Sequence, residues 1–205
     1  MAAHQQGVAA GAELGHNDAD DRPAMALTYP DPGLTDAVVR LRPWRETDID
    51  CIRQAAMDPR IPEGTTVPAL NTPDAGRAFI RRQWQRVENG EGMSMAIAAA
   101  ESDEALGLLW LGIRPQAGVL GLGYWVVPGA RRRGLARRAT RLAVHWALRE
   151  AGIARVEAWV EPENITSQSL LTATGFTREG VLRCFLAYPT RRADAMVFSR
   201  IAQDR

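Results

Sequence analysis

Lysine is absent from this sequence, and all 25 positively charged side chains are arginines. The chain therefore has no side-chain amine with which to form a Schiff base. Its two cysteines, Cys51 and Cys184, lie far apart, so they indicate neither a disulfide framework nor a metal site. No apolar run approaches the roughly 18 residues that span a membrane, and the N-terminus lacks the pattern of a signal peptide. We therefore expect a cytoplasmic protein without a membrane segment or a bound metal.

The charge balance is close to neutral, with a formal net charge of +1 over 205 residues. A protein with this charge has no overall field that attracts nucleic acid or an anionic membrane. Any site for an anion must therefore be local. The apolar content of 46% is enough for one domain with a substantial core.

Hydrophobic periodicity divides the chain into an N-terminal arm and one folded domain. Residues 1–36 are rich in Ala, Gly, Asp and Pro without a sustained period, so we predict a disordered arm there. Residues 37–205 predict a strand over 37–41, a helix over 46–57, a proline-rich loop and a helix from Pro73. Three strands, a helix, a strand, a helix and two strands follow. This order predicts a mixed α/β fold with a central sheet of six to seven strands and helices on both faces.

An arginine-rich stretch, GARRRGLARRATR (129–141), places six arginines within eleven positions where a strand ends and a helix begins. The unpaired N–H groups at a helix N-terminus carry a partial positive charge, so arginines are unfavourable there unless an anion is bound. Three interpretations compete: a solvated helix face, a nucleic-acid patch and a cradle for a small polyanion. A nucleic-acid patch usually needs a broader basic surface. Gly134 and Ala136 favour the cradle, because small residues let an anion approach the backbone.

Two motifs and two flanking segments resemble one known family. RRRGLA (131–136) resembles the acyl-CoA pyrophosphate loop of the GNAT acetyltransferase superfamily, [Q/R]-x-x-G-x-[G/A]. NITSQSLLTATGF (164–176) resembles the N-x-x-S-x7-G-F pattern of its ribosomal-protein N-terminal acetyltransferases. Arg40–Asp48 and Glu179–Arg183 resemble the opening strand and a late turn of that branch. The resemblance covers residues 38–202, nearly everything except the arm, and it favours the cradle.

The resemblance implies a single-domain GNAT fold and a CoA-dependent N-acyltransferase. The implied donor is acetyl-CoA, with succinyl-CoA as the alternative, and the implied acceptor is a primary amine on a protein N-terminus or a small molecule. The amine attacks the thioester directly in a ternary complex. No metal takes part in this chemistry, and no nucleic acid or membrane is expected as a partner.

The resemblance also implies roles for particular residues. The donor's pantetheine arm pairs with the end of the central strand, where the Val126 N–H polarises the thioester carbonyl. The Ser167 hydroxyl meets the leaving sulfur. The implied cofactor-binding residues are Val126, Val127, Arg131, Arg132, Arg133, Gly134, Leu135, Ala136, Arg137, Asn164 and Ser167.

Structural readings stand beside these roles. Asn164 is also a good helix N-cap, and Ser167 would then be an ordinary residue of the first helical turn. His145 is a further candidate for the base, and it is also typical of a residue on a helix surface or packed in the core. Leu171 stands where many GNAT enzymes carry a tyrosine, which favours the branch that uses a serine.

No residue stands out as the general base. Glu161, Glu163 and Glu179 are candidates, but each also reads as a solvated carboxylate. A base matters less for an α-amine, whose pKa of about 7.7–8.0 leaves roughly a tenth of it deprotonated at neutral pH, than for lysine with a pKa of about 10.4. The absence of an obvious base therefore slightly favours an α-amine, or another amine of low pKa, as the acceptor.

Two rival functions remain at this stage. One is a non-catalytic acyl-CoA-binding protein that keeps the cradle and lacks a base. The other is a nucleic-acid-binding module that uses the arginine-rich helix. Exposed strand edges also predict a homodimer.

Overall fold

The structure of the chain is a computed structural model that describes residues 27–204. This range forms seven strands and five α-helices. In chain order they are β1 (Val39–Arg42), α1 (Ile49–Ala56), α2 (Arg60–Gly64), α3 (Pro73–Glu88), β2 (Gly92–Ala99), β3 (Ala105–Ile113), β4 (Val119–Val126), α4 (Leu135–Arg149), β5 (Arg155–Val160), α5 (Ile165–Ala173), β6 (Thr177–Ala187) and β7 (Arg192–Ile201). None of the helices in this range is both long and apolar enough to cross a membrane.

All seven strands belong to one mixed sheet in the order β1-β2-β3-β4-β5-β7-β6. Every neighbouring pair is antiparallel except β4 and β5, which are parallel and are joined by α4. Helices α1 and α3 pack on one face of the sheet, while α4 and its neighbour α5 pack on the other. The predicted mixed α/β sheet with helices on both faces is confirmed.

The parallel pair separates after its first residues. Strands β4 and β5 pair at Val119–Arg155, Leu120–Val156 and Gly121–Glu157 and nowhere further. Strand β4 continues for five more residues with β3 as its neighbour, and β5 continues beside β7. The two strands therefore diverge and leave a cleft between Leu122–Val126 and Ala158–Val160, in the middle of the sheet.

Aromatic packing supports the divergent half of β4 from the α1/α3 face. The rings of Trp44 and Trp125 lie 6.2 Å apart, and Trp44 meets Phe79 of α3 edge-on at 5.8 Å. The Trp44 Nε1–H donates to the Ser94 Oγ of β2 (3.2 Å), so the buried indole nitrogen has a partner. This packing holds the strand in place although one of its edges is open.

Helix α2 lies within the segment that the sequence predicts as a loop. Its five residues include Pro62, and proline was the reason for predicting a loop. A proline in the first turn does not break a helix, because the N–H that it lacks has no acceptor inside the helix there. The loop prediction is therefore wrong for Arg60–Gly64.

The domain also begins earlier than predicted. Leu27 is buried in the core, and the Tyr29 hydroxyl donates to the Ser94 carbonyl (2.9 Å). The Asp36 carboxylate accepts from the N–H groups of Val38 and Val39 at the start of β1. Residues 27–36, assigned to the arm from their composition, thus contact the domain, whereas residues 1–26 lie outside the described range.

Candidate functional site

A row of free backbone donors lies where β4 leads into α4. Gly134 is the N-cap of α4 with a φ of 75°, and Arg132 has a φ of 61°. A left-handed conformation costs a non-glycine residue about 1–2 kcal/mol, and such strain clusters at ligand sites. Among the described residues, the N–H groups of Arg132–Arg137 have no hydrogen-bond acceptor. Six consecutive donors at a helix N-terminus form an anion-binding site.

The arginine side chains around this loop divide into two groups. Arg132, Arg133 and Arg137 are exposed, and they have no carboxylate partner within residues 27–204. Arg138 instead pairs with Asp36 (2.9 Å). Leu135 is buried and anchors the first turn of α4 in the core. Three guanidinium groups are therefore available to an anion at this helix end.

Arg131 makes contacts inside the protein with both its side chain and its backbone. Its guanidinium pairs with Asp58 (2.7 Å) and donates from Nε to the Val126 carbonyl (3.1 Å), while its backbone N–H donates to Pro128. Desolvation opposes ionisation of Asp58, but the hydrogen bonds from Arg60 and Arg131 outweigh it and lower the Asp58 pKa to about 2. Arg131 therefore ties the end of β4 to the α1–α2 segment, and its contact with the cofactor stays a prediction.

The open edge of β4 directs backbone groups into the cleft. The Val127 N–H donates to the Leu106 carbonyl (2.9 Å), which makes these two residues a hydrogen-bonded pair of the β3–β4 ladder. Such pairs alternate along an antiparallel ladder, so Val126 and Tyr124 direct their N–H and C=O groups away from β3. The Val126 N–H therefore points into the cleft, as its predicted role requires.

Val127 does not share this position. Its N–H is bound to Leu106, and its carbonyl accepts from the Ala130 N–H (3.0 Å). Both backbone groups of Val127 therefore have partners inside the protein, and its contact with the cofactor stays a prediction. Of the two predicted valines, only Val126 presents a free donor to the cleft.

Helix α5 places a second group of polar atoms near the divergent strands. The Asn164 Oδ1 accepts from the Ser167 N–H (3.1 Å), so Asn164 is the N-cap of α5. Its Nδ2 has no acceptor among the described residues. The Ser167 Oγ lies 2.6 Å from the Tyr124 hydroxyl of β4.

Tyr124 is a residue of the candidate site that sequence analysis missed. At the end of the central strand, the sequence analysis assigned a role only to the backbone of Val126. In a strand, Tyr124 and Val126 point their side chains to the same face, which here carries α4 and α5. Burial raises the pKa of Tyr124 above its usual value, against the opposing effect of its hydrogen bond with Ser167. The alternation of side chains along a strand predicts which face Tyr124 points to. Its contact with Ser167 depends on how α5 packs, which the sequence does not show.

The candidate bases are not brought together at the cleft. Glu179 lies on β6 and is bound by Arg155 (2.8 Å) and Ser199 (2.6 Å), and these hydrogen bonds lower its pKa to about 2. Glu161 follows the last residue of β5, and its two hydrogen bonds from Arg191 (2.6 and 3.0 Å) lower its pKa. Neither carboxylate accepts a proton near neutral pH.

The remaining candidates are exposed. Glu163 lies at the surface before α5, and His145 lies on the solvent side of α4, in a groove that Arg137 and Arg141 also line. No group of three His, Cys, Asp or Glu side chains within residues 27–204 has the arrangement of a metal site.

Comparison with known proteins agrees with this geometry. The sequence profile described as "Acetyltransferase (GNAT) domain" matches residues 39–177. The uncharacterized N-acetyltransferase p20 of Bacillus licheniformis is 26% identical over 165 residues, which are 80% of this chain and 93% of that protein.

Two solved structures have the same fold. Mycobacterium smegmatis RimJ in complex with CoA-disulfide gives a TM-score of 0.72 at 24% identity, covering 82% of this chain and 83% of that chain. The ribosomal-protein-S5-alanine acetyltransferase of Vibrio fischeri gives a TM-score of 0.69 at 18% identity, covering 84% of this chain and 97% of that chain.

Gly134 provides a test of the anion site. A side chain at Gly134 meets no atom within 4 Å of its Cβ, so Gly134→Glu strains the backbone without a clash. The new carboxylate would lie against the free N–H groups and repel a diphosphate. We expect the CoA affinity, measured by calorimetry, to fall by more than about 100-fold, the equivalent of some 2.7 kcal/mol.

Gly152 provides the matched control at the other end of α4. Its φ is 69°, and it too has nothing within 4 Å of a Cβ. Gly152→Glu should lower the melting temperature by a similar few degrees and leave the CoA affinity unchanged. Equal CoA affinity in the two folded variants would remove Gly134 from the cofactor site.

Proposed function

Because the chain belongs to the GNAT acetyltransferase family, as its motifs predicted, we propose that it transfers an acetyl group from acetyl-CoA to a primary amine. The observation that carries the proposal is the cleft between β4 and β5. The free N–H groups of Arg132–Arg137, the Val126 N–H and the Tyr124–Ser167 hydroxyl pair all lie along it. A non-catalytic acyl-CoA-binding protein would need the free N–H groups of Arg132–Arg137 but not the hydroxyl pair.

The donor fits the cleft from its charged end to its thioester. Its diphosphate accepts from the free N–H groups before and within the first turn of α4, and Arg132, Arg133 and Arg137 add charge. The groove beside Arg137 and Arg141 continues this positive surface for the remaining phosphate of CoA. The pantetheine arm pairs with the open edge of β4 as an added strand would, and the Asn164 Nδ2 is free to donate to one of its carbonyls.

The reaction changes the charge on three atoms: the amine nitrogen, the carbonyl oxygen and the thioester sulfur. The neutral amine attacks the thioester carbon, and the Val126 N–H stabilises the negative charge that develops on the carbonyl oxygen. The new N–C bond forms as the C–S bond breaks, and the sulfur leaves as a thiolate that the Ser167 hydroxyl meets. The proton released by the amine balances the thiolate, so acetylated amine and CoA thiol are the products.

We propose acetyl rather than succinyl as the transferred group. A succinyl group ends in a carboxylate that needs a cation near the thioester. The arginine nearest to Val126 is Arg131, and its charge is already paired with Asp58. Arg132, Arg133 and Arg137 belong to the diphosphate end of the cleft.

The carboxylates Glu161 and Glu179 are held in ion pairs and do not act as a base. The acceptor amine should therefore have a low pKa, so that part of it is neutral without a base. We therefore propose an α-amine, or a small-molecule amine of similar pKa, as the acceptor class. The Vibrio fischeri protein is named for a protein alanine acceptor, which agrees with this class. A mass-spectrometric screen of N-terminal peptides and small amines with acetyl-CoA and succinyl-CoA identifies the acceptor and the acyl group together.

A homodimer is part of the proposal. Strand β6 is the outer strand of the sheet, and its apolar side chains Val181, Leu182 and Phe185 are exposed. Bulges interrupt its pairing with β7, so we favour contact through these side chains over continuous strand pairing. Light scattering should give twice the mass of the chain. Val181→Asp should give a monomer, whereas Leu70→Asp at an exposed leucine elsewhere should not.

A reducing, cytoplasmic setting is also proposed. Cys51 and Cys184 are both free in the structure, and free thiols are the rule in that compartment. Fractionation of cells that produce the tagged full chain tests this location.

Ligand binding distinguishes the acyl-CoA site from a nucleic-acid site. A ligand that binds the folded state at about 100 times its dissociation constant stabilises it by about 2.7 kcal/mol, so acetyl-CoA should raise the melting temperature by about 5–10 °C. A DNA duplex should bind weakly, and its affinity should collapse as salt rises. Tight duplex binding at physiological salt, together with no thermal shift from acetyl-CoA, would contradict the proposal.

Ser167→Ala tests the chemical role of the serine. Interactions made mainly in the transition state change kcat and leave ground-state affinity alone. General acid assistance is typically worth about 10²–10⁴-fold, so kcat should fall by that factor, whereas the CoA affinity should fall by no more than about fivefold, the worth of one neutral hydrogen bond. Ser169→Ala, at an exposed serine of the same helix, is the control and should keep full activity. Activity within about threefold of the parent would clear Ser167 of a role in the reaction.

A further inference from the structure

We propose that Tyr124 is a positioning residue, whose hydroxyl donates to the Ser167 Oγ and thereby directs the Ser167 hydrogen toward the thioester sulfur. This inference rests on the proposed function and adds a residue that the family motifs in this sequence do not contain. It concerns how the two hydroxyl groups, 43 residues apart in sequence, act as one unit.

The geometry brings the pair together from two rigid elements. Tyr124 lies on β4, whose other neighbour β3 is paired with it along its whole divergent half. Ser167 lies in the first turn of α5, where the Asn164 cap holds its N–H. The distance of 2.6 Å between the two oxygens is that of a hydrogen bond between hydroxyl groups. Neither group depends on a surface loop for its position.

Strand β4 carries both the Val126 N–H, which faces the carbonyl oxygen, and the Tyr124 hydroxyl, which contacts Ser167. Val126 is two residues beyond Tyr124, and both direct their backbone N–H groups into the cleft. The donor for the carbonyl oxygen therefore has a fixed position relative to the hydroxyl that supports Ser167. A rigid strand is a better frame for such a constellation than a loop.

The number of hydrogens in the pair favours donation from Tyr124 to Ser167 if Ser167 is to donate to the sulfur. Each hydroxyl has one hydrogen and can accept from others. If Ser167 donated to Tyr124, its hydrogen would be used there and would not reach a sulfur. A phenol is a stronger acid than an aliphatic hydroxyl and is the better donor of the two. Burial raises the pKa of Tyr124, so the phenol keeps its hydrogen throughout the neutral range.

This direction has a consequence for the leaving group. When a hydroxyl accepts one hydrogen bond, the hydrogen bond that it donates becomes stronger. Ser167 is thus a better partner for the thiolate when Tyr124 donates to it than when it stands alone. Tyr124 itself need not touch the sulfur, and its effect passes through Ser167.

A double-mutant cycle tests this dependence. The parent, Tyr124→Phe, Ser167→Ala and the double variant are compared in kcat and in CoA affinity. We expect Tyr124→Phe to lower kcat by roughly 10-fold or more and to lower the CoA affinity by no more than about fivefold. In the Ser167→Ala background the same change should alter kcat by less than about twofold, because the residue through which Tyr124 acts is gone.

Tyr29→Phe is the matched control. Tyr29 is also partly buried, and its hydroxyl donates to the Ser94 carbonyl in another part of the domain. The variant removes one internal hydrogen bond and should keep kcat within about twofold of the parent. An equal loss of kcat in Tyr29→Phe would assign the effect of Tyr124→Phe to stability and overturn the inference. Effects of Tyr124→Phe and Ser167→Ala that simply multiply would overturn it as well.

A second readout does not require turnover. CoA and desulfo-CoA differ in the sulfur that Ser167 is proposed to contact, and a neutral hydrogen bond is worth roughly a fivefold difference in affinity. The parent should prefer CoA by about that factor, and both single variants should lose the preference. A full preference in Tyr124→Phe would overturn the inference. If the preference follows this pattern while no amine is acetylated, the proposed function fails and the role of Tyr124 toward the sulfur stands.

Discussion

The structure depends on a parallel strand pair that closes over only three residue pairs. Beyond Gly121 and Glu157, strands β4 and β5 diverge although both remain in the middle of the sheet. Backbone N–H and C=O groups in such a place need partners, because an unpaired polar group away from water is costly. The packing of Trp44 against Trp125 keeps β4 extended with this edge open. A ligand with its own amide groups, such as the pantetheine arm of CoA, can supply these partners.

Electrostatics explains how a nearly neutral protein carries so many arginines at one helix end. Arg131 and Arg138 are paired with Asp58 and Asp36, and both pairs connect the region to neighbouring segments. The three exposed arginines remain beside a helix end that already bears a partial positive charge. A bound anion would relieve their mutual repulsion, so local charge and free N–H groups favour the same ligand.

Sequence reasoning predicted most of the fold and part of the geometry of the candidate site. Periodicity and helix-start signals such as Thr72 with Pro73 placed the regular elements, because these signals are local. Composition misplaced the arm boundary, since Leu27 and Tyr29 are stabilised by contacts with distant strands. Helix α2 was missed because the position of a proline within a turn, rather than its presence, decides its effect.

The site shows the same division between local and long-range information. Gly134, Ser167 and the free donor of Val126 follow from local motifs and from strand alternation. Val127 and Arg131 instead donate to Leu106 and Asp58 inside the protein, and sequence spacing does not reveal these contacts. The contact between Tyr124 and Ser167 likewise exists only because α5 packs beside α4 on the face toward which Tyr124 points.

Hydrogen–deuterium exchange of the full chain with and without CoA tests whether the cofactor lies along the open edge of β4 and the N-terminus of α4. We expect CoA to slow exchange in 122–126 and 132–137 and to leave exchange in strand β6 unchanged. CoA binding that leaves exchange in both of those segments unaltered would contradict this position of the cofactor.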